Sequence, residues 1–260
     1  MNRAFLAAFL IANTIAHGAD VKPGTPIPFE AELSAKAKAM AMLGGNPPVL
    51  RAKCAVALPE KFSPSRAWPI VIVNASIGSS AVEAVKDYAP TASAAGWVTL
   101  AAECATTAKL ETTEWCHAML IAAFAHLEKS WPGVARWPVA TAGFSGGAKR
   151  AAYIGAVMSE DGHPLSGMFL GGCNEDRASD ALRWHKPGPA FFTTPIFLSH
   201  GTKDSLVSAD QTEAVMSGMH RSGFRNVRSE TFDGGHELRA DQFAKALAWF
   251  RSEAQRTVPR

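Results

Sequence analysis

Short apolar runs alternate along this chain with longer segments whose apolar residues recur at helical spacing, and this alternation strongly constrains the fold. Residues 69–73 are apolar throughout, as expected for a central parallel strand buried on both faces. A helix is predicted at residues 81–94 and a strand at 97–101, and the same order then repeats. We therefore predict an α/β fold with a mostly parallel central sheet and helices on both faces.

The same patterns predict the remaining elements. Further strands are predicted at residues 50–58, 138–143, 168–170, 195–199 and 226–232. Further helices are predicted at residues 113–129 and 146–158, and after the capping box Ser208-x-x-Gln211. The last helix has one apolar face, formed by Ala240, Phe243, Ala244, Leu247 and Phe250. Near the N-terminus, residues 29–43 predict a short helix that ends at the following glycines.

Length and the N-terminal pattern predict the domain organisation. With 260 residues, of which 47% are hydrophobic, the chain can bury one large core, so we predict one catalytic domain over residues 50–260 after an extension at 19–49. Residues 1–18 are typical of a secretory signal, with Arg3 before an apolar run that is shorter than the roughly 20 residues of a membrane span. A buried N-terminal helix is the alternative. The signal predicts a secreted or periplasmic protein with no stable membrane insertion after its removal.

Charge and cysteine content bound the partners and the compartment. The net charge of +3 comes without a run of lysine and arginine, so no nucleic-acid partner is predicted. The four cysteines are Cys54, Cys104, Cys116 and Cys173, and they are compatible with bridges in an oxidising compartment. Cys104 with Cys116 is one interpretation, and four buried free thiols are the other.

A zinc site is not predicted. His236-Glu237 begins like the zinc motif H-E-x-x-H, but Ala240 occupies the position of the second histidine. We expect neither a metal nor a cofactor.

The segment Gly143-Phe144-Ser145-Gly146-Gly147 joins a predicted strand to a predicted helix. A tight turn of this kind exposes the serine hydroxyl, and the glycines leave room for neighbouring backbone. Ser145 is therefore a candidate nucleophile, and the N–H of Gly146 is a candidate donor to an oxyanion. An ordinary glycine-rich connection is the alternative. A phosphate loop is excluded, because its motif requires glycine at Ala148 and serine or threonine at Arg150.

Two further polar residues follow predicted strand ends. Asp204 comes shortly after the strand at 195–199, and His236 shortly after the strand at 226–232. Because the carboxyl ends of parallel strands meet at one edge of a sheet, both are predicted to lie on the same rim as Ser145.

Several alternatives to these two residues stay open. The competing acids are Glu175, Asp176 and Asp233, and His236 is alternatively an exposed loop histidine. His200 is predicted to be a strand-end residue that bonds nearby backbone.

Three motifs in this order make the chain resemble the α/β-hydrolase fold family, and specifically its small, lidless esterase-like members related to dienelactone hydrolases and polyhydroxyalkanoate depolymerases. The motifs are Gly143-Phe144-Ser145-Gly146-Gly147, His200-Gly201-Thr202-Lys203-Asp204-Ser205-Leu206-Val207 and Gly234-Gly235-His236, and the resemblance covers residues 50–260. It implies an ester hydrolase with an acyl-enzyme intermediate. Ser145 would be the nucleophile, His236 the general base and then acid, and Asp204 the carboxylate that orients the imidazole.

The resemblance also implies an oxyanion hole with a second donor from a His-Gly-rich loop. Here Asn74 and Ala75 occupy the positions of that histidine and glycine. The N–H of Ser76 is predicted as the second donor, with Ile77 next.

The substrate is less constrained. Trp184, His185, Phe191 and Phe192 either line an acyl or aryl pocket or pack on the sheet. No large cap is predicted, and an open site suits a small-molecule or carbohydrate-linked ester. A peptidase or an acyltransferase would use the same triad. A non-catalytic binding module on a hydrolase scaffold is the alternative from another class, and the altered loop at Asn74 motivates it.

Overall fold

The computed structural model describes residues 21–75, 79–103 and 113–256. The predicted signal at residues 1–18 lies outside them and stays a prediction. The described residues form an eight-stranded, mostly parallel sheet with seven α-helices, which confirms the predicted fold class. The described residues fall into two compact units, one within residues 1–70 and 78–137 and the other within residues 71–77 and 138–260.

The strands and helices have the following bounds. The strands are β1 Ile27–Glu32, β2 Arg51–Ala57, β3 Ile70–Asn74, β4 Val98–Ala102, β5 Val139–Phe144, β6 Leu165–Gly171, β7 Ile196–Gly201 and β8 Val227–Phe232. The helices are α1 Ala35–Ala41, α2 Ala81–Ala94, α3 Thr113–Leu127, α4 Gly146–Glu160, α5 Arg177–Ala181, α6 Ala209–Arg221 and α7 Ala240–Arg256.

The first unit contains β1, β2 and β4, which pair antiparallel in that order. Here the prediction of a helix over residues 29–43 is wrong in its first part, because residues 27–32 form strand β1. Alternate residues of β1 are buried, and Glu30 of the exposed set forms an ion pair with Arg51 of β2. Helix α1 begins only after Ser34, whose side chain accepts a hydrogen bond from the N–H of Ala37 at 3.2 Å.

The second unit contains β5, β6, β7 and β8, which pair parallel in that order, and residues 71–74 of β3, which lie beside β5. Helix α4 connects β5 to β6 with a face of small residues. Gly155 lies so close to Met168 of β6 that a Cβ there would be 2.5 Å from the methionine sulfur. The predicted capping box of α6 is confirmed at Ser208 and Gln211.

This arrangement brings three strand ends to one rim. Strand β5 ends immediately before Ser145, β7 ends shortly before Asp204, and β8 ends shortly before His236. Because these strands are parallel, the loops that follow them lie on the same side of the unit.

Three of the four cysteines are described. Cys54, Cys116 and Cys173 are all buried. Burial raises the pKa of the Cys173 thiol to about 11, so it is protonated near neutral pH. Cys104 lies outside the described residues, and its pairing with Cys116 stays a prediction.

Within the described parts of the chain, no helix has the length and apolar character that crossing a membrane requires.

Candidate active site

Ser145 occupies the sharp turn between β5 and α4 that the sequence predicts. Its backbone has φ 55° and ψ −120°, a combination that a residue with a side chain rarely adopts. The turn is held by the Ser145 N–H, which donates to the carbonyl oxygen of Gly171 at 2.8 Å, and by the Ala148 N–H, which donates to that of Ser145 at 3.0 Å. Strain of this kind persists only where surrounding structure enforces it, and it is concentrated at functional sites.

The glycines around Ser145 differ in how much space a side chain would have. A Cβ on Gly143 would overlap the backbone of Gly147, and a Cβ on Gly147 would overlap the carbonyl oxygen of Asn74. A Cβ on Gly146 would meet nothing within 4 Å. The turn therefore requires glycine at 143 and 147, whereas Gly146 borders open space beside the serine.

Asp204 and His236 form a half-buried hydrogen-bonded pair. The Nδ1 of His236 lies 2.8 Å from Oδ2 of Asp204, and only 1% of the Asp204 side chain is exposed. The other carboxylate oxygen accepts from the N–H groups of Leu206 at 2.8 Å and Val207 at 2.9 Å. Burial acts to raise the pKa of this carboxyl, but the imidazole and the two backbone N–H groups outweigh it and hold the pKa below its usual value.

Backbone contacts fix the two loops that supply this pair. The N–H of Thr202 donates to the carbonyl of Phe232, and the N–H of Lys203 to that of Gly234, both at 2.9 Å. A Cβ on Gly201 would overlap the carbonyls of Gly234 and Gly235. The glycines of the two motifs thus allow the aspartate and histidine loops to pack backbone against backbone.

The imidazole of His236 lies against the residue that precedes Ser145. Its ring centroid is 4.7 Å from that of Phe144, and a Cβ on Gly172 would be 2.8 Å from its Cε1. Its Nε2 is buried and has no hydrogen-bond partner among the described residues. With Nδ1 committed to Asp204, Nε2 is the nitrogen left to accept a proton.

The competing acids have other partners. Glu175 forms ion pairs with Lys149 and Arg177, and Asp176 caps helix α5. Asp233 is exposed and pairs with a lysine at 2.7 Å. Of the four carboxylates considered from the sequence, Asp204 is the one that contacts His236.

His200 lies at the end of β7, as predicted. It is buried, and its Nδ1 makes no hydrogen bond to the described residues, so the predicted bond to nearby backbone is not observed at this nitrogen. Burial lowers the pKa of His200. The imidazole is therefore neutral near pH 7.

The hydrogen bonds of Asn74 give a structural reason for asparagine at the position where the family pattern has histidine. Its side chain is buried, and Nδ2 donates to the carbonyl of Ala142 in β5 at 3.3 Å and to that of Ile72 at 3.4 Å. Asn74 therefore links β3 to the strand that leads into Ser145. The predicted donors Ser76 and Ile77 lie outside the described residues, and their role stays a prediction.

Sequence reasoning missed two residues beside this site, Phe144 and Arg150. The Arg150 guanidinium donates to the carbonyl oxygen of Ala75. One signal was present, because Lys149 lies in the first turn of a helix, where the helix dipole disfavours positive charge, and Arg150 follows it directly.

The aromatic residues of the β6–β7 connection mostly pack. Phe191 is fully buried, with its ring centroid 5.2 Å from that of Phe224, and Phe192 lies 5.5 Å from the same ring. His185 lies 2.7 Å from a carboxylate oxygen of Glu160. Trp184 is 76% exposed. Packing is thus the better interpretation of Phe191 and Phe192.

Solved structures of other proteins have the same fold as this chain. No protein-family model matches the chain. Bacterial heroin esterase is similar in structure with a TM-score of 0.60 at 18% identity, covering 96% of this chain and 90% of that one. An esterase of Pyrobaculum calidifontis has a TM-score of 0.60 at 14% identity, covering 98% and 94%. These likenesses show that the protein has the α/β-hydrolase fold.

One curated relative adds a local similarity. Acyl-protein thioesterase 1 of Eremothecium gossypii is 34% identical over 101 residues, which are 35% of this chain and 41% of that protein. The match thus spans about two fifths of the relative's length.

Proposed function

We propose that this protein is a serine hydrolase that cleaves carboxylic esters, with Ser145 as nucleophile, His236 as general base and acid, and Asp204 as the orienting carboxylate. The observation that carries the proposal is the Asp204–His236 hydrogen bond, which leaves the histidine Nε2 without a partner among the described residues. The imidazole packs against Phe144, the residue before the strained Ser145. That solved structures with this fold are esterases supports the reaction class.

The proposed chemistry proceeds in two halves. The Oγ of Ser145 attacks the ester carbonyl carbon while its proton passes to Nε2 of His236, and the carbonyl oxygen becomes an oxyanion. The N–H of Gly146 and the predicted second donor, the N–H of Ser76, stabilise that oxyanion. The alcohol leaves with the proton from His236, and water then cleaves the acyl-enzyme with the same histidine as base. Asp204 remains ionised throughout, because its pKa lies below the usual value.

Labelling with a fluorophosphonate tests the nucleophile. The wild-type protein is expected to be labelled and Ser145→Ala is not, since the probe phosphonylates an activated serine hydroxyl. Ser217→Ala is the matched control, because it removes a hydroxyl on α6 that donates to Glu213 and takes no part in the proposed site. A wild-type protein that resists labelling would favour the binding-module alternative.

A substrate panel tests the reaction class. Turnover of p-nitrophenyl acetate without turnover of a peptide anilide is expected for an esterase, and the reverse result would indicate a peptidase. An S-acyl thioester belongs in the panel because of the local similarity to a thioesterase. Small-molecule and carbohydrate-linked esters are the proposed substrate class, since Phe191 and Phe192 pack on Phe224 and the described residues of the β6–β7 connection add no large cap.

Export is the proposed location. The support is the charged start and apolar run of residues 1–18. Expression in a bacterial host should give a periplasmic or secreted protein that starts at Ala19, as read by N-terminal sequencing. Leu10→Asp, which interrupts the apolar run, should leave the full-length chain in the cytoplasm. A wild-type protein that keeps residues 1–18 would contradict this location.

A further inference from the structure

We propose that strand β8 is an interaction surface whose partner is a second copy of this chain. Two β8 strands pair antiparallel around a two-fold axis at Ser229, as closed two-fold symmetry requires of two identical edges. This surface takes no part in the proposed hydrolysis, so it adds a function that the site does not describe.

Strand β8 is the last strand of the sheet. Among the described strands it pairs only with β7. The carbonyl oxygens of Asn226 and Phe232 accept hydrogen bonds from the β7 side, at 2.8 and 2.9 Å. Because the peptide groups of successive strand residues point to opposite sides, Val227, Ser229 and Thr231 direct theirs away from β7. A row of outward N–H and C=O groups is a template for a further strand.

The two edge strands of the sheet differ in how they discourage pairing. Strand β1 contains Pro28, which has no N–H group, and its exposed residues also include Glu30 and Glu32, which carry the same charge. Strand β8 contains neither proline nor lysine, the residues that commonly protect an edge. Its two charged residues, Arg228 and Glu230, have opposite signs. The composition of β8 therefore permits pairing with another strand.

Backbone and charge together select one register. Outward peptide groups meet each other only if the two-fold axis passes through a residue rather than between two residues. An axis at Arg228 or at Glu230 would place two identical charges directly opposite, which is destabilising. An axis at Ser229 places Arg228 of each copy opposite Glu230 of the other. The charges of β8 are thus self-complementary in this register.

The same register suits the other residues of the strand. Ser229 meets its own copy, and Val227 meets Thr231, at positions where the two strands exchange hydrogen bonds. Arg228 and Glu230 then lie at the positions without such bonds, where opposite side chains are closest. The small serine at the axis leaves room for its symmetry mate.

Both charged side chains have bonding capacity left for a partner. The Arg228 guanidinium lies over the ring of Trp249, 4.8 Å from its centroid, and has no carboxylate partner among the described residues. Lys245 donates to Oε2 of Glu230 at 2.9 Å, whereas Oε1 has no hydrogen-bond partner among the described residues. These side chains line a groove of about 750 Å³ between β8 and α7. A second copy can therefore bring its arginine to the free carboxylate oxygen.

Charge reversal in the full chain tests the pairing, with analytical ultracentrifugation as the measurement of Kd. Arg228→Glu and Glu230→Arg each place like charges opposite one another in both symmetry-related pairs. Arg66→Glu is the matched control, because it also reverses an exposed arginine that lies over a tryptophan, Trp68 at 3.9 Å, but outside β8. Far-UV circular dichroism checks that each variant is folded.

The wild type is expected to dimerise with a micromolar Kd, as is typical of a small interface. Each reversal should raise Kd about ten- to a hundredfold, because two favourable cross-strand pairs become two unfavourable ones. Arg66→Glu should dimerise like the wild type. An equimolar mixture of Arg228→Glu and Glu230→Arg should form a heterodimer about as tightly as the wild type, because each chain then supplies the charges that the other lacks.

A disulfide tests the position of the axis. Ser229→Cys brings two thiols opposite each other, at a Cα separation of about 5.5 Å that suits a disulfide. Added diamide takes two electrons and two protons from these thiols as the S–S bond forms, and a non-reducing gel measures the covalent dimer. Thr231→Cys should not cross-link beyond the wild-type background, because its two copies lie about 14 Å apart along the strands.

Four results would overturn the inference. They are a wild-type chain that stays monomeric at about 100 µM, a dimer whose Kd neither reversal changes, a mixture of the two reversed variants that stays monomeric, and cross-linking through Thr231→Cys but not Ser229→Cys. If a reversed variant does not fold, the cysteine variants decide. Labelling by a fluorophosphonate is a separate matter, since the proposed function can fail while this pairing stands.

Discussion

The two sides of Ser145 are built in different ways. On one side, the Asp204–His236 pair depends on hydrogen bonds within and between two adjacent loops, and Asp204 accepts three of them. On the other side, the Asn74–Ala75 segment is held by side chains and backbone from β5 and α4. The first side is a local construction with glycines at fixed spacing. The second depends on residues that are distant in sequence.

This difference decides which half of the site a sequence reveals. His236 and Asp204 are 32 positions apart, but each belongs to a short motif with its own glycines. The Asn74 amide and the Ala142 carbonyl are 68 positions apart, and Arg150 and Ala75 are 75 apart, with no motif to mark either contact. The family pattern therefore identifies the proton-transfer half, Asp204 and His236. In the other half, the Asn74–Ala75 segment, it shows only that the residues differ from those of the family.

The largest expected effect is on the proton-transfer half. Asp204→Asn should lower kcat about 10⁴-fold, because an amide cannot hold the imidazole in the required tautomer or stabilise its charged form. Steady-state kinetics on p-nitrophenyl acetate measure this. Asp233→Asn, which removes an exposed carboxylate from the histidine loop, should stay within about twofold of wild type. Equal losses in the two variants would remove Asp204 from the proposed site.

The next effect separates two adjacent glycines. Gly147→Ala should lower the free energy of unfolding by about 1–3 kcal/mol, because its Cβ overlaps the Asn74 carbonyl and forces the segment after β3 to move. Gly146→Ala, with open space around its Cβ, should be as stable as wild type or gain up to about 1 kcal/mol from better helix propensity. Urea unfolding of both variants measures the difference. If Gly147→Ala is as stable as Gly146→Ala, the close approach to Asn74 is not a constraint.

A smaller effect is expected where the two halves meet. Phe144→Leu removes the ring that lies 4.7 Å from the imidazole, and such ring pairs contribute about 0.5–1.5 kcal/mol. If that energy is used to orient His236, kcat should fall about two- to tenfold. Phe192→Leu, which removes a ring that packs on Phe224 elsewhere in the unit, should leave kcat unchanged. A kcat for Phe144→Leu equal to that of the wild type would show that the ring only fills space.

For the fold, as for the site, the sequence predicted the parts that carry a local pattern and missed a part that depends on a distant partner. The alternation of apolar runs and helical periodicity predicted the parallel strands, because a strand buried on both faces has a sequence signature of its own. Strand β1 was mistaken for helix because an alanine-rich helical segment follows it directly, and its strand character comes from pairing with β2. The residues of an edge strand do not show which strand it will pair with.

Lowering the pH should reduce the contribution of Asp204 to stability and leave that of Arg150 unchanged. The expected change is modest. The pKa of Asp204 is lowered in the folded protein, so its ionised form contributes stability above its unfolded value near 3.8, and that contribution is lost as pH falls through the lower, folded value. The wild type should therefore lose its stability advantage over Asp204→Asn when urea unfolding is followed from pH 6 downward. The difference between wild type and Arg150→Met should not change through the same range on account of residue 150, since a guanidinium keeps its charge. A constant difference between wild type and Asp204→Asn down to pH 2 would mean that the bonds to His236, Leu206 and Val207 do not favour the ionised carboxylate.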